Sequence, residues 1–168
     1  MTTHLADPTA LIEFESDPLR KRLRGYTNHK HMPFSVPYMT EIAVNLWQGG
    51  CEDGLVLPVE IKHLLSLYQW EAYTVRHRLR TSHTVEMYDS LDQATHEIDK
   101  WARWVNARRR TGPVLVHCQA GLNRSSLVVA RALMFNGVPA ADAIELIRTK
   151  RSPAALCNQA FEDYLLSH

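Results

Sequence analysis

Cysteine is scarce in this chain. Three residues among 168, Cys51, Cys118 and Cys157, are widely spaced and form no Cys-x-x-Cys pair. An odd number at such spacing argues against a disulfide framework and against a zinc finger. The nine histidines show no metal-ligand spacing either, so neither metal nor cofactor is expected. No apolar run approaches the ~20 residues of a membrane span. The N-terminal "MTTHLADPTALIEFES" lacks the basic-then-apolar pattern of a signal peptide. The expectation is therefore a cytoplasmic protein without membrane contact. Charge of one sign is not in excess: 19 Lys and Arg face 18 Asp and Glu, a formal net charge of +1. Wholesale nucleic-acid binding needs a dense cationic surplus, so nucleic acid is not an expected partner, although a local basic patch stays open. Oligomeric state leaves no mark on the sequence.

What is present fits one domain, long enough to bury a substantial core. Residues 1–38 lack sustained periodicity and carry prolines at 8, 18, 33 and 37. They read as an N-terminal arm lying on the domain, with a helical turn near 19–23. Its cluster Arg20, Lys21, Arg22 and Arg24 reads as a solvated face, a partner or substrate contact being the lesser alternative. From residue 39 onward strands alternate with helices. "EIAVNLWQGG" looks like a first strand closed by a glycine turn, and a second strand is expected within 61–68. "SHTVEMYDS" alternates as a strand that stops at Asp89-Ser90. "SLDQATHEIDKWARWVNARRR" carries an apolar helical stripe at Ala94, Ile98, Trp101, Ala102 and Val105. Ser90 and Gln93 would cap that helix, and arginines 108–110 suit the negative end of its dipole. "PVLVHC" is continuously apolar, as in a strand buried on both faces. The helix "SSLVVARALMFN" follows and stops at Gly137; Pro139 suits the first turn of the next helix, Pro153 ends it, and Asn158 caps the last. The fold class is α/β: a central, mostly parallel twisted sheet flanked by helices.

The stretch "CQAGLNRS", residues 118–125, joins the central strand to its helix. A tight loop in that position turns successive backbone N–H groups inward at the positive end of the helix dipole, forming an anion nest. Gly121 and Asn123 help it close, and Gln119, Ala120 and Leu122 complete the ring around a phosphate or sulfate ion. Arg124 can grip two phosphate oxygens with its planar fork. Cysteines at helix N-termini beside hydrogen-bond donors react as thiolates. A thiolate at Cys118 would be placed for in-line attack on a phosphate monoester, giving a cysteinyl-phosphate. The amides and Arg124 would stabilise the charge spread over the equatorial oxygens. Ser125 can donate to the sulfur as it departs, and His117 is suited to orient the loop. A lone cysteine at a strand end is usually plain packing. Cys118 followed at this spacing by Arg124 and Ser125, between strand and helix, argues for chemistry.

"VHCQAGLNRSS" resembles the signature of the cysteine-dependent protein tyrosine phosphatases, and the surrounding pattern is similar to their compact dual-specificity branch. "SSLVVARALM" resembles that branch's helix after the loop, "AIELIRTKRSPAALCNQAFEDYLL" its closing pattern, and "NLWQGGCEDG" its first strand and turn. The resemblance implies a catalytic domain over 39–168, preceded by an extension, 1–38, without counterpart. It implies a metal-independent phosphatase acting on phosphotyrosine, and on phosphoserine or phosphothreonine, in a phosphorylated protein substrate. It also implies a general acid, an aspartate about thirty residues before the cysteine, for which "VEMYDSLDQ" offers Asp89 and Asp92. Asp89 is preferred because it follows the strand-like stretch, whereas Asp92 falls in the first helical turn, where the dipole alone explains an acid. The family often carries a basic residue near the pocket mouth, which implies a substrate contact for Arg151, with Arg148 one turn away. A solvated helix end explains that pair equally well. Asn158 in the family pattern steadies the loops beneath the site.

RNA 5′-triphosphatases and phosphoinositide phosphatases belong to the same catalytic superfamily and remain the alternative enzymes. The absence of lysine from "QAGLN" weakens the lipid reading, and Asp89 with near-neutral charge weakens the RNA reading. A non-catalytic phosphate-binding module would typically lack the cysteine, the arginine or the aspartate, and all three are here. Low-molecular-weight tyrosine phosphatases and arsenate reductases share the spacing but place it near the N-terminus.

Overall fold

The computed structural model describes residues 16–168. It opens on an antiparallel hairpin, β1 (Arg22–Tyr26) and β2 (Pro33–Pro37), followed by a second antiparallel pair, β3 (Met39–Ala43) and β4 (Leu46–Gly49). Next come β5 (His63–Ser66), β6 (Thr81–Thr84), α1 (Thr95–Arg109), β7 (Val114–His117), α2 (Arg124–Phe135), α3 (Ala140–Lys150) and α4 (Gln159–Leu166). The main sheet runs β3-β4-β7-β5-β6 and is parallel apart from its β3–β4 edge. The expected α/β class with a central, mostly parallel sheet is what the chain adopts.

β7 lies in the middle of the sheet because both of its faces are apolar. Strand alternation sends Val114 and Val116, with Leu65 of β5, into the core shared with Ile98, Val105, Leu127 and Phe161 of the helices. Leu115 and Leu64 point the other way, into a second cluster with Tyr38, Leu55, Leu57, Ile61 and Tyr73. Helices therefore cover one face, and the mostly irregular segment between β4 and β6 covers the other. The α1 stripe Ile98, Trp101, Ala102 and Val105 is buried. Asn158 caps α4 by accepting from the Ala160 amide.

Four local expectations change. Around 19–23 the chain forms a turn and then β1, not a helical turn. "EIAVNLWQGG" is two strands, since Asn45 takes φ 58° and reverses the chain between Ala43 and Leu46. The strand expected to reach Asp89 ends at Thr84; as an edge strand with little burial, it is bounded by pairing with β5 and not by its alternation. Helix α1 starts at Thr95, with Ala94 at its N-cap and no side-chain cap. Ser90 and Gln93 instead bond to one another across a loop, Gln93 Nε2 donating to the Ser90 carbonyl at 2.6 Å. That loop frees Asp89 from helix geometry.

Phe161 is fully buried and anchors α4 in the core. Phe161→Ala is expected to cost about 3–5 kcal/mol of stability, read as a lowered urea midpoint with an unchanged slope.

Candidate active site

Between β7 and α2 the chain makes a tight loop whose carbonyls all point away from its centre. The Cys118 carbonyl accepts from His117 Nδ1 at 3.2 Å, and the Gln119 carbonyl from the Cys51 amide at 2.9 Å. Arg151 serves the next two, Nη2 donating to Ala120 at 3.0 Å and Nε to Gly121 at 2.6 Å. Gln48 Nε2, from β4, adds a second bond to the Gly121 carbonyl at 3.1 Å, and the Leu156 amide holds the Leu122 carbonyl at 2.7 Å. Each carbonyl fixed outward turns the following N–H inward, because the peptide unit is planar. Among the described residues, the amides of 119–123 donate to no protein acceptor. The result is a ring of orphan donors at a helix N-terminus, which is an oxyanion cradle. Gly121 is required in it: φ is +70°, and a Cβ there would stand 2.5 Å from the Gly49 oxygen.

Cys118 lies at the floor of this cradle, only 2% exposed. Its Sγ is 3.4 Å from the Ser125 Oγ, so the hydroxyl is within reach to donate to the sulfur. Arg124, the first residue of α2, lies over the Tyr68 ring and donates through Nη1 to the Leu67 and Met87 carbonyls at 3.4 and 3.3 Å. His117 is buried beside Tyr73. Burial lowers its pKa to about 4, so the ring is neutral at physiological pH and donates from Nδ1 to the loop. It cannot serve as an exposed base.

Cys118, Asp89 and Arg124 line one cavity of about 300 Å³ together with Gln119, Ala120, Leu122 and Asn123. Asn123 Nδ2 donates to Asp89 Oδ2 at 3.3 Å, and Asn158 Nδ2 to Asp89 Oδ1 at 3.0 Å. The two asparagines are themselves joined, the Asn158 amide donating to Asn123 Oδ1. Asp92 pairs with Ser90 and lines no cavity wall with Cys118. The ground for preferring Asp89 changes, since α1 begins beyond both aspartates. What separates them is position: Asp89 lines the cavity that holds Cys118, and Asp92 does not.

Arg151 is not at the pocket mouth, where a substrate contact was expected. It is 6% exposed and fully spent on the Ala120, Gly121 and Pro37 carbonyls and Thr40 Oγ1. Burial lowers its pKa to about 10, which leaves it charged at neutral pH. Arg148 is also engaged, with Glu162 and the Ala155 and Leu156 carbonyls. Sequence reasoning missed Gln48, whose signal was a polar residue inside the apolar "NLWQGG". It also missed five residues of the first hairpin that line the cavity, Leu23, Tyr26, Thr27, Asn28 and Phe34. No local pattern marks them, because their place depends on how the hairpin docks.

The model of the dual specificity phosphatase catalytic domain matches residues 57–168. The chain belongs to this family. A protein tyrosine phosphatase PRL-1 of Trypanosoma cruzi is 27% identical over 118 residues, 58% of this chain and 66% of that protein. The dual specificity protein phosphatase OPG106 of vaccinia virus is 29% identical over 116 residues, 64% of this chain and 66% of that protein. A MAP kinase phosphatase with leucine-rich repeats, protein 3 of Dictyostelium discoideum, is 36% identical over 66 residues, 39% of this chain and 8% of that protein. The dual specificity phosphatase domain described here thus spans 8–66% of the length of these relatives. Human DUSP28 superposes with a TM-score of 0.63 at 20% identity, over 78% of this chain and 92% of that chain. DUSP15 gives 0.62 at 21% identity, over 77% and 85%. These likenesses establish the fold.

The neutral, buried His117 predicts a pH effect on stability. The unfolded chain takes a proton on this ring below its ordinary pKa of 6.5, whereas the folded one does so only near 4. Stability present above pH 6.5 is therefore lost as the pH falls towards 4. His117→Asn should show a shallower loss of urea midpoint across that window than wild type; parallel curves would contradict the assignment.

Proposed function

We propose that this domain hydrolyses phosphotyrosine, and phosphoserine or phosphothreonine, in proteins through a cysteinyl-phosphate intermediate. The observation that carries the reading is the ring of inward amides closed over Cys118, with Arg124 at its rim. The catalytic unit is residues 39–168, and 1–38 form an extension to it.

In the first step the Cys118 thiolate attacks phosphorus. An S–P bond forms, the bond to the leaving oxygen breaks, and Asp89 gives that oxygen a proton. The amides of 119–123 and the Arg124 fork take the charge on the three equatorial oxygens, already oriented and so needing little reorganisation. In the second step Asp89 takes a proton from water, the water oxygen attacks phosphorus, and the thiolate departs as Ser125 donates to it. The charge is neutralised by amides and a guanidinium and the nucleophile is a side chain, so no step calls for a metal. His117, Gln48 and Arg151 act behind the loop as positioning residues.

A peptide substrate is supported by a second cavity of about 320 Å³ that shares Asn28, Asp89, Gln119 and Arg124 with the first. Its walls include Tyr68, Trp70, Met87 and Tyr88, with Trp70 and Tyr88 exposed. Aromatic side chains flanking a phosphate site suit a polypeptide laid across it. Arg124 is the one Lys or Arg lining either cavity among the described residues. Polyanions such as an RNA 5′-triphosphate or a phosphoinositide would leave their further phosphates without a cation.

The test is phosphate release from phosphotyrosine and phosphothreonine peptides in the presence of a chelator. Wild type should turn over and Cys118→Ser should not. Rapid acid quench should trap phosphate on wild-type protein. Asp89→Ala should lower kcat on the phosphothreonine peptide by about 10²-fold or more, with a smaller effect on an aryl phosphate whose oxygen leaves without help. Release that survives Cys118→Ser would overturn the mechanism.

A further inference from the structure

An aspartate that serves first as acid and then as base makes opposite demands on its neighbours. It must hold a proton in one step and lack it in the next. Two of the groups bonded to the Asp89 carboxyl are amide donors, Asn123 Nδ2 at 3.3 Å and Asn158 Nδ2 at 3.0 Å. An amide N–H cannot accept, so both bonds favour the ionised carboxylate. The third contact differs in kind. His29 Nε2 lies 3.3 Å from Asp89 Oδ2, and an imidazole nitrogen donates to a carboxylate or accepts from a carboxylic acid. Among the described residues, it is the one side chain in contact with this carboxyl that suits both of its states.

His29 comes from the tip of the β1–β2 hairpin, outside residues 57–168 of the family match. The tip is held in place. Thr27 closes it, donating its amide to the Met32 carbonyl and accepting at Oγ1 from the Met32 amide. Lys30 Nζ donates to Gln159 Oε1 at 2.7 Å. Gln159 is the first residue of α4 and follows Asn158, the cap that also holds Asp89. Adjacent residues of one helix end thus tie down both the carboxyl and the turn that carries the imidazole. His29 lines neither cavity, whereas Asp89 lines both, so the imidazole reaches the carboxyl from outside the space for substrate. The other titratable or charged groups around the pair are Lys30 and His31 in the same turn, Asp163 beyond Gln159 on α4, and Cys118 and Arg124 in the cavity that Asp89 lines.

We infer that His29 is a positioning residue for the general acid, its imidazole sharing one proton with the Asp89 carboxyl. The inference rests on the phosphatase reading above for its chemistry. Before the first step the proton lies between His29 Nε2 and Asp89 Oδ2. It passes to Oδ2, leaving a neutral imidazole and a carboxylic acid, and the acid gives it to the leaving oxygen as the bond to phosphorus breaks. In the second step Asp89 takes a proton from the attacking water, and His29 shares it again. The pair neither gains nor loses a proton over the cycle. Imidazoles ordinarily hold a proton to higher pH than carboxylates do, so the pair supplies an acid where an aspartate held by amides alone would have lost its proton. Two coupled groups of this kind titrate as a unit.

The experiment follows kcat against pH for wild type and His29→Gln on a phosphothreonine peptide and on 4-nitrophenyl phosphate, whose oxygen leaves without help. The His29 side chain is 36% exposed, so His29→Gln removes no core, and it keeps an amide donor but no titrating group. On the peptide, the alkaline fall in kcat should move to lower pH and cost about tenfold at pH 7.5, with KM unchanged. On 4-nitrophenyl phosphate the two proteins should run together. In an Asp89→Asn background His29→Gln should cost nothing further, since His29 acts through the carboxyl. An unmoved profile on the peptide, or equal losses on both substrates, overturns the inference. If wild type hydrolyses neither substrate, the phosphatase reading fails, and the pair is then decided by nuclear magnetic resonance. The Asp89 carboxyl carbon should show an inflection with pH that His29→Gln removes; a titration that His29→Gln leaves unchanged overturns the shared proton.

Discussion

A peptide plane has two ends, and fixing one fixes the other. In this domain five consecutive carbonyls, from Cys118 to Leu122, are gripped from behind by donors on four different stretches of chain. The inward amides follow from that grip. Arg151 contributes most, because a rigid planar fork can satisfy neighbouring carbonyls at once where an ammonium could not. Its burial would be costly for an unpartnered cation, and it is tolerated because all four of its acceptors are in place. The charge buried behind the loop also leaves a positive group close to where an anion would sit.

The polar floor beneath the loop is supported by the sheet. Gln48 reaches the loop from β4, where it replaces an apolar residue in a buried strand, and it also bonds Ser126 Oγ at 2.5 Å. The glycine pair Gly49-Gly50 lets that strand end approach the loop backbone: a Cβ on Gly50 would stand 2.5 Å from the Gln119 oxygen. Cys51, just beyond, lends its amide to the loop, while burial holds its thiol up to about 12, so it stays protonated. Two cysteines close to one loop are thus placed differently: Cys51 serves it through a backbone amide, whereas Cys118 lines the cavity that the loop encloses.

Much of this was legible in residue patterns. Continuous apolarity marked β7 as the central strand, and the junction from His117 to Ser125 marked the cradle, because backbone geometry at a strand-to-helix turn follows from local chemistry. Less local facts were not. Asn45 reversing the chain inside "EIAVNLWQGG" was hidden by apolar residues on both sides. The arginine at 151 read equally as a substrate contact at the pocket mouth or a solvated helix end, and only its docking against Gly121 shows it buried. The hairpin at 22–37 carries prolines at both ends of β2 and few large apolar residues, so neither period nor composition declared it. The place of Asp89 on the cavity wall was not legible from its neighbours, since the strand expected before it ends at Thr84 and the helix expected to hold Asp92 starts at Thr95.

Asn158 and Leu156 lie more than thirty residues beyond Cys118 in the chain, yet one steadies the aspartate and the other a carbonyl of the cysteine's own loop. Since a ribosome delivers residues in order and domains fold as they emerge, a nascent chain exposes the thiol well before the groups that organise it are available. The cradle is assembled only when α3 and α4 dock, so its assembly waits on translation passing residue 158. Cys118 thus stands without its ring of inward amides until the chain has been made past residue 158.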